Sequence, residues 1–219
     1  MPALFPHKAL LLSGLASVAL YCLPVRAQTP TWLDDPSSQA QLSAGEVVMR
    51  SELGPGQASV QAAILVHTNA QLIWKLITNC DSVATFVPGL KRCARLQTTP
   101  DGSWSIVEHD ISYSVLMPVI HSIVRSHYQP PHRVDFTGVG GNVKSESGSW
   151  VLEPVPDAAL TRVEYSITIE PGFFIPRTVV RRSLSRELPV MLTGLRAQAE
   201  RVALRAARAA SPPGAQPQR

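Results

Sequence analysis

The sequence is poor in charged residues, aromatic residues and cysteine. Asp, Glu, Lys and Arg make up 16% of the 219 residues, aromatic residues make up 6%, and there are three cysteines. The formal net charge is only +4, so the chain lacks the strongly basic surface with interleaved aromatic side chains that binds nucleic acid. We therefore expect no nucleic-acid partner.

Patterns that indicate catalysis or metal binding are missing as well. No Ser, His and Asp residues form a local signature of nucleophilic hydrolysis. His121 and His127 share one strand face but lie too far apart along it to chelate one ion, and His132 follows two prolines. The sequence therefore predicts no nucleophilic triad, no metal site and no cofactor.

The first 27 residues have the organisation of a secretory signal peptide. A short start that carries His7 and Lys8 precedes the apolar run of residues 9–23, and Val25 and Ala27 are the small residues that a signal peptidase recognises. The run is shorter than the roughly 20 residues that a membrane-spanning helix needs. We expect cleavage after Ala27 and a periplasmic or secreted protein, and an uncleaved membrane anchor is the alternative.

Two cysteines, Cys80 and Cys93, remain after that cleavage. An even number of cysteines in an oxidising compartment is typical of disulfide pairing, and a bridge across this short loop would stabilise the fold by about 2–3 kcal/mol. The alternative is two buried thiols, because the sequence does not supply the Cα separation that a disulfide requires.

Strand-like runs separated by turn signals predict the order of the elements. Residues 28–57 are expected to form a loose polar lead-in and the first strand of a hairpin, residues 58–209 the main domain, and residues 210–219 a disordered tail. Two short helices follow the hairpin, one at residues 70–79 and one that starts at Asp81. Six strand-like runs come next, at residues 91–97, 103–114, 119–129, 133–137, 144–153 and 160–170. The last element is a helix from Ile175 to about Ala209, which Pro189 should kink or split.

The last helix has an apolar stripe on a 3.6-residue period, with most of its arginines elsewhere. The stripe contains Val180, Leu184, Leu188, Met191, Leu195 and Val202. We interpret the arginine-rich side as a solvated face, and contact with an anionic membrane surface is the alternative.

Alternation along the strands predicts one apolar face of the sheet. Its members are Val107, His109, Ile111, Tyr113, Val134, Phe136, Trp150, Leu152, Val163, Tyr165 and Ile167. On the other face Glu108 is expected to lie opposite Arg125, and Glu153 opposite Arg162. Consecutive strands that leave one apolar face uncovered predict an α+β fold, in which a curved antiparallel sheet wraps around the C-terminal helix.

Two segments resemble a known superfamily. The stretch IWKLITNCDSVATFVPGLKRC is similar to the opening of START-like proteins, the superfamily of polyketide cyclases and coenzyme Q-binding proteins (SRPBCC), which has a Trp-containing helix, an acidic turn, an aromatic residue and Pro-Gly. The matching residues are Trp74, Asp81, Phe86, Pro88 and Gly89. Residues 148–200 resemble the end of the same family. The resemblance implies a helix-grip fold with a hydrophobic cavity between the sheet and the last helix.

The two apolar faces together predict a ligand site, because apolar walls with a few polar groups are typical of small-molecule pockets. The expected ligand-binding residues are His109, Ile111, Tyr113, Phe136, Trp150, Leu152, Tyr165, Ile167, Leu184, Leu188, Met191 and Leu195. The first hypothesis is a non-catalytic carrier or sequestering protein for a lipid, a quinone or a polyketide-like molecule.

The alternative is a cyclase or dehydratase that acts on a polyketide-like or aromatic substrate, with His109 and Tyr113 as an acid/base pair. The lack of a convergent set of ionisable groups favours the carrier. The aromatic residues can also simply fill a solid core.

Overall fold

The computed structural model describes residues 31–112, 118–172 and 176–210. Within these residues eight antiparallel strands form one sheet: β1 Val48–Leu53, β2 Ala58–Val66, β3 Leu90–Thr98, β4 Trp104–Ile111, β5 Ile120–Gln129, β6 Arg133–Gly141, β7 Ser145–Pro154 and β8 Thr161–Glu170. Their spatial order is β1-β2-β8-β7-β6-β5-β4-β3. The described residues also contain a 3-10 turn (Thr31–Leu33) and four helices: α1 Pro36–Ser43, α2 Ala70–Ile77, α3 Cys80–Val83 and α4 Arg177–Ala210. The predicted α+β class and helix-grip arrangement are confirmed.

The apolar stripe of α4 packs against the inner face of the sheet, chiefly along β2. The helix buries Leu184, Leu188, Met191, Leu192, Leu195 and Ala199 in one cluster with the inward side chains of β2 and β8. This apolar contact stabilises the sheet and the helix together, since neither element could otherwise bury its apolar face.

Helix α4 is not divided at Pro189, contrary to one of the two expected outcomes. The proline ring removes one backbone N–H donor from the helix interior. Leu188 and Leu192 are buried on either side of it, and the Thr193 hydroxyl donates to the Pro189 carbonyl at 2.7 Å. Tertiary packing on both sides therefore keeps the two halves in one helix.

The expected loose lead-in at residues 28–43 is wrong for the part that the structure describes. Asp35 caps α1 by accepting hydrogen bonds from the backbone N–H groups of Ser37 and Ser38, and Pro36 occupies the first turn, where its missing N–H has no cost. Leu33 and Leu42 are buried against the outer face of β1 and β2. The polar composition of this segment therefore gave the wrong prediction, because a capped helix forms there and Leu33 and Leu42 pack it against the sheet.

The strand faces are as expected, but one register differs. Glu108 lies opposite Ile123, and Arg125 lies opposite Ile106, so the expected pairing of Glu108 with Arg125 is wrong by two residues. A shift of two positions keeps every side chain on its face, and Glu108 instead lies 3.0 Å from Arg92 on β3. The pairing of Glu153 with Arg162 on β7 and β8 is confirmed.

Among residues 31–112, 118–172 and 176–210, no helix combines the length and hydrophobicity that a membrane span would need. The predicted signal peptide lies outside the described residues, as does the predicted tail beyond Ala210.

Candidate functional site

A cavity of about 200 Å³ lies between the inner face of the sheet and α4. Its walls come from β3 to β8, from the first half of α4, and from the segment around α3. Nine of the expected ligand-binding residues line it: His109, Ile111, Phe136, Trp150, Tyr165, Ile167, Leu184, Leu188 and Met191. The two predicted apolar faces therefore lie opposite each other, and the cavity is the space between them.

Among the described residues, two that were expected in the cavity wall are not found there. Leu152 and Leu195 are buried at 1% and 0% exposure, in the solid part of the core that also contains Ile73 and Leu76 of α2. Helix α2 packs against β7 and α4 at that position, so it fills the space that these two leucines would otherwise border. Tyr113 lies outside the described residues.

Aromatic rings form one wall of the cavity. Trp150 and Tyr165 face each other across β7 and β8 with their ring centroids 4.5 Å apart, and Phe136 stacks on Tyr165 at 6.0 Å. Gly148 makes room for this arrangement, because a Cβ atom there would lie 2.5 Å from Cζ of Phe136. The wall is a packed aromatic surface, which presents a broad apolar area to a ligand.

A disulfide closes another side of the cavity. Cys80 and Cys93 are bonded, with their Cα atoms 5.3 Å apart, inside the range that disulfides occupy. The bridge ties α3 to β3, and both cysteines line the cavity. Next to them Arg95 donates a hydrogen bond to the Thr78 carbonyl at 2.5 Å.

Glu146 is a cavity residue that the sequence interpretation missed. Its side chain is only 8% exposed, it lines the cavity, and it accepts a hydrogen bond from the Ser122 hydroxyl. Burial raises the pKa of the Glu146 carboxyl, and the Ser122 hydrogen bond opposes the shift. A signal was present, because Glu146 lies four positions before Trp150 and thus on the same strand face.

His109 is a cross-strand neighbour of Ser122, the residue that donates to the Glu146 carboxyl. It lies opposite Ser122 on β5 and opposite Cys93 on β3. Burial lowers the pKa of His109, while the charge of Asp110 opposes that shift. The imidazole and the carboxyl therefore both favour their uncharged forms inside an otherwise apolar space.

A cluster of charged side chains on β4 and β5 lies on the outer face of the sheet, away from the cavity. His121 lies there, 2.6 Å from Asp110 and 3.7 Å from Glu108. Within the described part of the chain, no group of three His, Cys, Asp or Glu side chains is arranged to hold a metal ion.

Comparison with solved structures finds the same fold in several proteins of low sequence identity. A STAR-related lipid transfer protein from Xanthomonas axonopodis has a TM-score of 0.60 at 16% identity, over 70% of this chain and 92% of that one. The Zhui aromatase/cyclase from Streptomyces sp. R1128 has a TM-score of 0.58 at 17% identity, over 71% and 96%. A START superfamily protein from Mycobacterium smegmatis has a TM-score of 0.57 at 16% identity, over 66% and 98%. At these identities the likeness shows the fold alone.

Sequence comparison with curated proteins gives no significant match. A family profile, described as polyketide cyclase / dehydrase and lipid transport, matches residues 66–196, which is more than half of the chain. The match begins at the end of β2 and continues into α4, so it covers every element that lines the cavity. The chain therefore belongs to the polyketide cyclase / dehydrase and lipid transport family, within the START-like superfamily.

Proposed function

We propose that the protein binds an apolar small molecule in the cavity between the sheet and α4, and that it carries or sequesters this molecule without transforming it. The observation that carries the proposal is the cavity itself, whose wall is mainly apolar and aromatic. Such walls bind by burying apolar surface and select by shape.

The cavity size limits the ligand. An apolar cavity of about 150 Å³ can hold one benzene molecule, and the cavity here is about 200 Å³. A one-ring or two-ring molecule, such as the head of a quinone or one part of a polyketide, fits this space. A ligand with a long chain would have to extend beyond it, or the walls would have to move apart.

A second candidate function is a cyclase or dehydratase reaction in the same cavity. Glu146 and His109 favour this candidate, because two titratable groups with shifted pKa values in one cleft are typical of acid/base sites. The family description and the names of the structural relatives include both lipid transport and cyclase activity. The single carboxyl and the single imidazole can equally serve to hold a ligand, and we favour the carrier.

Native mass spectrometry of the protein purified from its own cells separates the two candidates. A bound molecule that is recovered unchanged after long incubation supports a carrier. An empty protein that converts an added polyketide-like or aromatic substrate supports the enzyme, provided that Glu146→Gln abolishes the turnover. A protein that neither retains nor converts any apolar molecule would contradict both candidates.

We propose further that the protein acts in the periplasm or outside the cell, after cleavage behind Ala27. The disulfide between Cys80 and Cys93 supports this location, because disulfides persist in oxidising compartments. Fractionation with an antibody against α4, together with the N-terminal sequence of the purified protein, tests the proposal. Recovery of the full-length chain in the cytosol would refute it.

Contact with an anionic membrane surface is a separate proposal about α4. Arg182, Arg201, Arg205 and Arg208 are exposed on this helix, and basic residues near an anionic surface each contribute about 1 kcal/mol to binding. Flotation with phosphatidylglycerol vesicles, compared with phosphatidylcholine vesicles, tests this contact. Equal recovery with both kinds of vesicle would exclude an electrostatic contact.

A further inference from the structure

In the part of the chain that the structure describes, Glu146 is the one carboxyl group that lines the cavity, and it passes close to the backbone of a neighbouring strand. Glu146 on β7 reaches across β6 to bond with Ser122 on β5. It crosses β6 at Gly138, where a Cβ atom would lie 2.9 Å from Cγ of Glu146. A register shift in β6 between Gly138 and Gly140 lies at the same place. Strand β6 thus leaves room for the Glu146 side chain to reach the cavity.

We propose that Glu146, Ser122 and His109 form an anchor for an uncharged polar group of the ligand, a carbonyl or a hydroxyl. The proposal rests on the proposed function, since it concerns the same cavity, and it adds the chemical class of the ligand. An aromatic or alicyclic molecule with one ketone, quinone or hydroxyl oxygen would place its rings against Trp150 and Tyr165. Its oxygen would then lie at the anchor.

The charges around Glu146 argue for an uncharged partner. Among the described residues, the other titratable side chains that line the cavity are His109 on β4, Tyr128 on β5, Tyr165 on β8 and Arg95 on β3. Helix α4 presents to the cavity only Val180, Ser183, Leu184, Leu188 and Met191, and β6 presents Val134 and Phe136.

In the described residues no cation forms an ion pair with Glu146, and the Arg95 guanidinium already donates to the Thr78 carbonyl. A phosphate or carboxylate headgroup at the anchor would therefore lie beside an acid without a compensating charge. Burying an unpaired anion in this way is strongly unfavourable.

The protonation of the anchor determines what it can bind. A protonated carboxyl donates one hydrogen bond, so Glu146 can donate to a ligand oxygen while it accepts from Ser122. Burial raises the pKa of this carboxyl, which extends the donor form to higher pH. Above that pKa the carboxylate has no proton to donate, and a ligand carbonyl would face a negative charge.

Three naphthalene derivatives of nearly equal size test the inference: 2-acetylnaphthalene, 2-ethylnaphthalene and 2-naphthoate. Their affinities are measured by displacement of the one-ring fluorescent probe 4-(dimethylamino)benzonitrile from pH 4 to pH 9. We expect the wild type to bind the ketone about fivefold more tightly than the hydrocarbon at low pH, as one hydrogen bond of typical net strength provides. At pH values where it is ionised, the naphthoate should bind more weakly than both, and the ketone preference should disappear as the pH rises.

Two variants and one control isolate the role of the carboxyl. Glu146→Gln keeps a donor that does not titrate, so the preference for the ketone should persist at every pH. Glu146→Leu should remove the preference at every pH while the hydrocarbon still binds. Glu164→Gln is the control, because Glu164 is a second buried glutamate with a raised pKa, but it lies on the outer face beside Arg162 and outside the cavity wall. This control should bind all three compounds like the wild type.

The outcomes separate this inference from the proposed function. Equal binding of ketone and hydrocarbon by the wild type at low pH would overturn the anchor while leaving the carrier intact. The same conclusion would follow if the Glu146→Gln variant lost the preference together with the wild type as the pH rises. Failure of all three compounds to displace the probe, or failure of the probe itself to bind, would contradict the proposed function and the anchor with it.

Discussion

Leu188 and Leu192 lie one turn apart on α4, and they offer a matched test of whether the helix borders a cavity or only a solid core. Leu188 is 4% exposed and lines the cavity, whereas Leu192 is 0% exposed and does not line it. Leu→Ala substitutions in solid cores cost about 2–5 kcal/mol, and the spread reflects the volume of the space that they leave. We expect Leu192→Ala to lower the free energy of unfolding by about 3–5 kcal/mol, because it opens a new void.

Leu188→Ala should cost less, about 2–3 kcal/mol. The side chain already borders a space of about 200 Å³, so its truncation enlarges that space and breaks fewer contacts. Urea unfolding followed by circular dichroism measures both values.

The opposite substitution makes the test sharper. Leu188→Trp should place its indole in the cavity, retain nearly all of the stability, and abolish uptake of the neutral one-ring fluorescent probe 4-(dimethylamino)benzonitrile. Leu192→Trp should overpack the core and cost about 1–3 kcal/mol or more. If both Trp variants were equally destabilised and the wild type took up no probe, α4 would be an ordinary packing helix. The proposed carrier function would then be refuted.

Three further predictions concern the cavity walls. Gly138→Ala should displace the Glu146 side chain and weaken ketone binding. Gly140→Ala on the same strand should do neither, because a Cβ atom there would lie 3.4 Å from its nearest neighbour. Displacement titrations on both variants check this. Burial raises the pKa of Glu146, so the folded state binds the carboxyl proton more tightly than the unfolded state does. The resulting contribution to stability is full below the ordinary glutamate value of 4.5 and is lost as the pH rises through the raised pKa. Glu146→Gln should therefore gain stability relative to the wild type with rising pH, and parallel urea curves for the two proteins would contradict the burial argument. Reduction of the bond between Cys80 and Cys93, 13 positions apart, should cost about 3 kcal/mol, measured as a fall in Tm with a phosphine reductant; an unchanged Tm would show that the loop is already constrained by its other contacts.

The fold could be predicted because its dominant pattern is local. Side chains alternate across a pleated strand with a period of two, so the faces of β4, β5, β7 and β8 could be assigned without knowing the register. The β4–β5 pairing illustrates this, since Glu108 faces Ile123 rather than Arg125 and yet no residue changes face. Charge pairing was a poor guide to that register, because an exposed ion pair contributes little and Glu108 finds Arg92 on the other neighbouring strand.

The lead-in shows where composition misled the prediction. Residues 36–43 contain few apolar side chains, and a segment of this kind rarely forms a helix by itself. Asp35 and Pro36 supply the local start signal, but the helix is held in place by Leu33 and Leu42 on the outer face of the sheet. The only residues that the sequence analysis assigned to that face were two charge pairs on other strands, so it identified no apolar partner for the two leucines.

The sequence predicted which faces of the sheet and of α4 form the candidate site, but not which residues on those faces border the cavity. Leu152 and Leu195 lie on the expected faces, yet helix α2 converts their part of the interior into solid core. Glu146 lies on the same face as Leu152 and borders the open part of the cavity. Strand alternation determines the side of the sheet to which a residue points, whereas the packing of a third element determines whether it meets another side chain or a space.

The strand glycines carry the sequence information that could have located Glu146. Gly138 and Gly148 are both on the inner face, and a side chain of the neighbouring strand crosses over each of them: Glu146 over Gly138, and Phe136 over Gly148. At Gly148 a Cβ atom would also lie 2.0 Å from the backbone oxygen of Ser166. Glycine weakens a strand interior and often marks a place where another group approaches closely. A glycine next to a strand that carries one inward-pointing acid therefore indicates that the acid crosses toward a more distant partner. By this argument the segments GVGG and SESGSW together indicate that the Glu146 carboxyl enters the apolar cavity. This carboxyl is the basis for expecting a ligand with a matching uncharged oxygen.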